Sequence, residues 1–136
     1  MIDRFEELLA ELGVQLDLPL KSDRNHFCTL QIGPNLLIQL QTDAAFEKLL
    51  IISKVAEIPP GKFRENILKE ALKANGKKDP RVGVFAYLTQ INQLVLFQRY
   101  PFDLLNGERL AELLGPFIET AENWKKAIAS GRSAPT

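Results

Sequence analysis

The segment from Val82 to Tyr100, VGVFAYLTQINQLVLFQRY, decides the fold prediction for this 136-residue chain. It predicts two strands joined by a short turn near Ile91 and Asn92. Successive strand side chains point to opposite faces of a sheet, and here both faces are apolar. The apolar positions are Val84, Ala86 and Leu88 against Phe85 and Tyr87, then Leu94 and Leu96 against Val95 and Phe97. A hairpin with one face in water alternates apolar with polar residues. We therefore expect the second face of this hairpin to be covered as well. In so short a chain we expect a partner molecule to cover it.

Composition and charge indicate an ordinary globular protein. Hydrophobic residues make up 46% of the chain, and 17 basic residues balance 17 acidic ones. The nearest approach to a basic cluster is Lys77, Lys78 and Arg81, in a predicted loop. Nucleic-acid binding usually concentrates positive charge on one face or one helix, so we do not expect it here. The length fits a single domain with one modest core.

The chain also lacks the sequence features of exported and membrane proteins. No apolar run approaches the roughly 20 residues of a membrane span, and the first residues, MIDRFEE, are acidic where a signal peptide is basic. A single cysteine fits a reducing compartment. We therefore expect a soluble cytoplasmic protein with one domain over residues 1–129, followed by a flexible tail over residues 130–136.

The order of secondary structure predicts an α+β fold with an antiparallel sheet. Helical spacing of apolar residues predicts three helices, and short alternating runs predict five strands. The expected order is α-β-β-β-α-β-β-α, because runs of strands are separated by single helices. The expected elements are a helix over Ile2–Leu12 with Gly13 as its stop, strands over Phe27–Ile32, Leu36–Gln41 and Leu49–Ile58, a helix from Phe63 that stops at Asn75-Gly76, the hairpin, and a helix over Leu110–Ile128.

No residue pattern supports catalysis or a cofactor. His26 and Cys28 are the only residues of their types and would share a strand face, as a nucleophile and its base do. However, Cys28 is in register with core residues, and His26 is expected in a solvated loop. Two such residues cannot supply the three or four ligands of a zinc site. The glycines occur singly, without a phosphate-binding loop, and we expect Trp124 to belong to the core. We therefore expect no enzyme activity, no metal and no cofactor.

Association is the function that the residues favour. Leaving several large apolar side chains per strand in water would forgo several kcal/mol at about 25 cal/mol per Å². Exposed apolar patches of this kind usually mark association sites. A homodimer through the second hairpin, a peptide-binding surface on the first three strands, or both would account for the apolar residues on both faces of these strands.

The ordered set of motifs resembles the class I type III secretion chaperones of the Tir-chaperone type. Each motif is mostly a hydrophobic pattern, but the set in this order spans nearly the whole chain. The chain departs from the usual acidic composition of the family, because it is neutral, so net charge is not expected to drive partner capture. The matching strings are LGVQLDLPL (12–20), CTLQI (28–32), LLIQLQ (36–41), AEIPPG (56–61), LKEALKANG (68–76), GVFAYL (83–88), LVLFQRYPFDLL (94–105) and FIETAENWKKAI (117–128).

The resemblance implies a small cytoplasmic homodimer without catalytic activity. It implies binding to the extended N-terminal chaperone-binding segment of secreted effectors, which stay soluble and secretion-competent without ATP, and contact with the secretion apparatus. An extended segment can add to a sheet edge and place alternate side chains in apolar grooves. The alternative is a dimeric α+β interaction or scaffold domain with no export role.

Both kinds of contact can be assigned to residues in the sequence. The two sets could be partly exchanged, since the sequence does not say what each face meets. The expected effector-binding residues are Phe5, Leu9, Leu30, Leu37, Leu50 and Ile52. The expected dimer contacts are Leu72, Phe85, Tyr87, Val95 and Phe97.

Overall fold

The computed structural model describes residues 4–76 and 82–135, and within them it confirms the predicted order of helices and strands. The proposed start of the first helix at Ile2 and the basic residues Lys77, Lys78 and Arg81 lie outside the described residues. A short 3₁₀ turn at Phe102–Leu104 precedes the last helix. The elements are α1 (Arg4–Leu16), β1 (Phe27–Ile32), β2 (Leu36–Thr42), β3 (Lys48–Glu57), α2 (Lys62–Asn75), β4 (Val84–Leu88), β5 (Gln93–Pro101) and α3 (Gly107–Ala129).

The five strands form one antiparallel sheet in the order β1-β2-β3-β5-β4. The hairpin predicted over Val82–Tyr100 consists of β4 and β5, and its turn contains Asn92 with a positive φ of 54°. β3 lies at the centre of the sheet, and its register with β5 shifts between Lys54 and Ala56. The sequence-distant strands β3 and β5 are therefore direct neighbours.

One face of the sheet is covered by helices and forms the core. Buried side chains from all three helices and from alternate strand positions make a single apolar cluster. In β3, for example, Leu49, Ile51 and Val55 are buried, as the alternation predicted. Each large side chain that is removed from water stabilises the fold by about 1.5–3 kcal/mol. Trp124 of α3 belongs to this cluster, which confirms its expected role in the core.

The first helix does not stop at Gly13, and that prediction is wrong. α1 continues to Leu16 and ends in a Schellman motif, with Asp17 at a positive φ of 56°. The amide of Leu18 donates to the carbonyl oxygen of Gly13 over 2.9 Å. A Cβ at Gly13 would lie 2.5 Å from the carbonyl oxygen of Leu18, so the returning chain requires a glycine here. The glycine is therefore needed for close backbone approach inside the helix.

A second close approach holds α1 against α3. Asn106 caps the N-terminus of α3, and its Oδ1 accepts a hydrogen bond from the amide of Arg109 over 2.7 Å. The next residue, Gly107, lies so near α1 that an added Cβ would be 2.5 Å from the backbone carbon of Glu11. At this point the backbones of the two helices approach so closely that only a glycine fits. None of the described helices is long and apolar enough to cross a membrane.

Candidate binding surfaces

The second face of the sheet, which we call the open face, is apolar but does not belong to the core. Strand alternation places on it side chains from β2, β3, β4 and β5 that are all absent from the buried cluster. Val95 is 1% exposed and yet makes no part of that cluster. Leu37 is 55% exposed. The apolar residues of the open face are Leu37, Leu50, Ile52, Val84, Val95 and Phe97.

The strand register brings these residues into a continuous strip. Ile52 of β3 is opposite Phe97 of β5, and Phe97 is opposite Val84 of β4. Towards β2, Ile52 is opposite Gln39, which begins a polar border. A concavity of about 410 Å³ lies beside Leu37, Ile52 and Val95. It is lined by Thr29, Asn35, Leu37, Gln39, Ile52, Lys54, Ala56, Glu57, Leu88, Gln93, Val95 and Lys125.

A second apolar surface, the α2–β4 surface, lies at the end of the sheet. Leu72 of α2 is 70% exposed there, beside a concavity of about 220 Å³ whose lining includes Ala71 and Tyr87. Asn75 joins the helix to the edge strand: its Nδ2 donates to the carbonyl oxygen of Phe85 over 2.9 Å, and its Oδ1 accepts from the amide of Phe85 over 2.8 Å. Part of the β4 edge is therefore capped by a side chain of α2.

The residues predicted to bind effectors lie on opposite sides of the sheet. Leu37, Leu50 and Ile52 are on the open face. Phe5, Leu9 and Leu30 are at most 4% exposed and belong to the core. α1 lays its apolar side onto the sheet, and the alternation of β1 points Leu30 towards the same helices. The structure therefore does not bring these six side chains together on one surface.

The predicted dimer contacts separate into three groups. Leu72 is exposed on the α2–β4 surface. Phe85 and Tyr87 point from β4 towards the core cluster, where the Phe85 ring lies 4.4 Å from the Trp124 ring between centroids. Val95 and Phe97 are on the open face, in the same strip as Ile52.

Sequence reasoning missed three residues that complete the open face. Val84 is a predicted strand residue but is not among the predicted site residues. The cations Lys54 and Arg99 border the strip, and the guanidinium carbon of Arg99 lies 5.5 Å from the centroid of the Phe97 ring. Alternation within β4 could have indicated Val84. The place of the cations depends on the pairing of β3 with β5, which local sequence does not specify.

His26 lies in the loop before β1, as expected, and does not share a strand face with Cys28. The strand begins at Phe27, and His26 precedes it with a positive φ of 63°. The His26 ring is exposed and contacts Phe46 edge-on, with 6.1 Å between centroids. Cys28 is buried, and burial raises the pKa of its thiol, with smaller contributions from Glu6 and Asp23. Among residues 4–76 and 82–135, no group of three or more His, Cys, Asp or Glu could hold a metal ion.

The sequence of the chain matches a known protein family. Residues 7–125 match the model of the Tir chaperone protein (CesT) family. The chain belongs to the Tir chaperone family. The match covers most of the chain and confirms the family predicted from the motifs. No curated protein sequence matches this chain.

Solved structures share the fold of this Tir chaperone family member. A chain in the structure of the HopA1–SchA chaperone–effector complex is 20% identical, with a TM-score of 0.73 over 91% of this chain and 94% of that one. A chain of the ExoT–SpcS complex from Pseudomonas aeruginosa is 21% identical, with a TM-score of 0.69 over 90% and 97%. A chain in the structure of the Yersinia pestis type III secretion chaperone SycH in complex with a stable fragment of YscM2 is 15% identical. Its TM-score is 0.66 over 86% of this chain and 96% of that one. The predicted α+β fold is thereby confirmed.

Proposed function

We propose that this chain is a type III secretion chaperone that binds the N-terminal chaperone-binding segment of secreted effectors. Binding is stoichiometric, requires no ATP, and keeps the effector soluble and competent for secretion. The observation that carries the proposal is the open face, whose apolar side chains come from four strands and are absent from the core cluster. Membership of a chaperone family and structural similarity to chains in chaperone–effector complexes support this function.

The open face has the chemistry of a site for an unfolded segment. Its apolar side chains stand roughly perpendicular to the sheet, so an extended chain can cover them with alternate side chains. At about 25 cal/mol per Å² of apolar surface, covering even half of the strip would contribute several kcal/mol. The border residues Thr29 and Gln39 offer hydrogen-bond partners to the polar groups of such a segment.

An edge of the sheet offers main-chain hydrogen bonds to the same client. β1 is the outermost strand, and the amide and carbonyl groups of Phe27 both bond to Asp23 outside the sheet. By antiparallel alternation, the main-chain groups of Thr29 and Gln31 also point away from β2. The opposite edge is partly capped by Asn75. We infer that a client strand adds beside β1 rather than beside β4.

We infer that the protein is a homodimer through the α2–β4 surface. Leu72 is a large apolar side chain that the subunit leaves mostly in water, and it lies beside a concavity bordered by Tyr87. In an isologous dimer each such residue is used twice, so a small patch has a doubled effect. Phe97 then serves the client surface instead, because it is paired with Ile52 on the open face. Val95 is 1% exposed, so it contributes to neither contact directly. We further infer that the protein acts by binding in the cytoplasm and has no enzymatic activity.

The test is co-expression with N-terminal fragments of the secreted proteins that are encoded in the same genome. We expect a stoichiometric complex with at least one fragment. Leu37→Asp places a charge on the open face at a position already in water, and it should weaken the complex by about tenfold or more. Leu104→Asp, at a residue that is 69% exposed on the 3₁₀ turn, is the matched control and should leave binding unchanged.

The outcome separates this function from its alternative. A dimer that co-purifies with no fragment of any encoded secretion substrate would favour a scaffold domain without an export role. Retention of the complex by Leu37→Asp and Phe97→Asp would remove the open face as the client site, even if the complex itself forms.

A further inference from the structure

The open face carries a cation on each side of its apolar strip. Arg99 is opposite Leu50, and Lys54 is opposite Val95. The directly paired residues Ile52 and Phe97 lie between these two rows. Both cations are exposed. Along the strands, positive charge therefore lies on both sides of the Ile52–Phe97 pair, although the chain as a whole is neutral.

These cations are not neutralised by neighbouring carboxylates. Some cations on the helices are paired, for example Lys62 with Glu65 at 3.4 Å and Arg109 with Glu112 at 3.3 Å. Within the described part of the chain, no ion pair of 4.0 Å or less involves Lys54 or Arg99.

A third cation extends the positive border. Lys125 of α3 lines the concavity, and its Nζ donates to the carbonyl oxygen of Val55 over 3.4 Å. Like the other two cations, it has no carboxylate within 4.0 Å among the described residues. Among the described residues that line the concavity, Glu57 is the one acidic residue. The local excess of positive charge favours an anionic occupant.

We propose that the segment bound on this face is extended, apolar and acidic, with carboxylates four residues apart around a central apolar side chain. The rows of Arg99 and Lys54 are four strand residues apart, which is about 13 Å at 3.3 Å per residue. In an extended client, residues i, i+2 and i+4 face the same way with this spacing. Carboxylates at i and i+4 lie over the backbone rows of the two cations. Residue i+2 lies over Ile52, beside the Phe97 ring that the Arg99 guanidinium contacts at 5.5 Å. This inference rests on the proposed chaperone function and specifies its client.

The same charges argue against a second copy of this chain on the open face. An isologous contact there would bring Lys54 and Arg99 of one subunit towards the same cations of the other. With one acidic side chain in the concavity, such a contact leaves most of this charge unpaired. Like charges that face each other disfavour association. The acidic client segment is therefore the better occupant.

The inference can be tested with three short synthetic peptides that differ only at positions i and i+4. Each carries apolar residues at the other positions that face the sheet, with glutamate, glutamine or lysine at the two variable ones. Fluorescence anisotropy of the labelled peptides measures affinity in about 0.05 M and about 0.5 M sodium chloride. We expect the glutamate peptide to bind the full chain about tenfold tighter than the glutamine peptide at low salt, and the difference to shrink at high salt.

Charge-reversal variants complete the design. The double variant Lys54→Glu/Arg99→Glu should reverse the order, so that the lysine peptide binds best. The control Lys62→Glu/Arg109→Glu makes the same charge change on the helices and should keep the original order. Circular dichroism and light scattering check that fold and mass are unchanged.

Each outcome tests either the acidic client segment or the proposed chaperone function. Equal affinity for the glutamate and lysine peptides, no binding of the glutamate peptide, or an unreversed order in the double variant overturns the acidic client. So does a change in the mass of the protein caused by the double variant, since the face would then belong to a subunit contact. Effector fragments that bind the wild type and the double variant equally would leave the chaperone function intact without the charge preference. The chaperone function itself fails only if no fragment binds the wild type.

Discussion

Replacing Leu72 by lysine should dissociate the dimer without harming the subunit. Leu72 is 70% exposed on α2, so its side chain contributes little to the fold of one subunit. It lies three residues before Asn75, where α2 ends, and the helix dipole favours positive charge in this last turn. Lysine also has a helix propensity close to that of leucine. The substitution therefore acts mainly on whatever covers the side chain.

The expected loss follows from the exposed fraction. Full burial of a leucine side chain is worth about 1.5–3 kcal/mol, so the exposed part of Leu72 can contribute about 1–2 kcal/mol per subunit. A two-fold symmetric interface uses the residue twice, which makes about 2–4 kcal/mol per dimer. At 1.4 kcal/mol for each factor of ten, the dimer dissociation constant should rise by about 30- to 1000-fold. The two unpaired ammonium groups add to this loss.

Sedimentation equilibrium over a range of protein concentrations measures the effect, and thermal unfolding of the variant checks the subunit. Leu104→Lys is the matched control, because Leu104 is 69% exposed on the 3₁₀ turn, away from α2. We expect the control to stay dimeric and the Leu72 variant to become monomeric at micromolar concentration. An unchanged dissociation constant for Leu72→Lys, or equal weakening by both variants, would refute the α2–β4 surface as the subunit contact.

Two further predictions concern single side chains in the subunit. Asn75→Ala removes both hydrogen bonds to the main chain of Phe85 and should lower the free energy of unfolding by about 1–3 kcal/mol in urea titrations. Asn123→Ala, at an exposed position of α3, is its control, and equal effects of the two would contradict the bridging role. Burial raises the pKa of the Cys28 thiol, so the unfolded chain ionises first as pH rises. The protonated Cys28 thiol therefore contributes its full stabilisation of the fold below the pKa of the thiol in the unfolded chain, which is about 8.5. This contribution is lost as pH rises through the higher pKa of the thiol in the folded chain. The difference in unfolding free energy between the wild type and Cys28→Ala should therefore shrink between about pH 8 and pH 11. A difference that grows over this range would contradict the upward shift of the thiol pKa.

Local sequence predicted the elements because their causes are local. Alternation, turn residues and helical spacing are properties of neighbouring residues, and they located the strands of the first hairpin and of the β4–β5 hairpin. The end of α1 was the exception. Gly13 looked like a stop, but the helix continues, because the glycine is needed where the carbonyl oxygen of Leu18 returns against it.

The division of apolar residues between the two sheet faces depended on contacts between distant segments. Phe5, Leu9 and Leu30 have the same local pattern as surface candidates, and the packing of helices against the sheet buries them. Likewise, the pairing of Ile52 with Phe97 joins residues that are 45 positions apart. Local patterns carry no information about such register, because it results from the packing of β3 against β5.

The Val82–Tyr100 segment by itself determined that a sheet with two apolar faces exists, since every strand side chain must point to one face or the other. The tertiary structure decided which face the helices cover and which stays available. α1 and α3 meet at Gly107 and contribute with α2 to the core on one side, leaving Ile52, Val95 and Phe97 on the other. The physical reason is that helix docking depends on long-range packing, whereas the alternation of side chains depends only on the backbone of the strand.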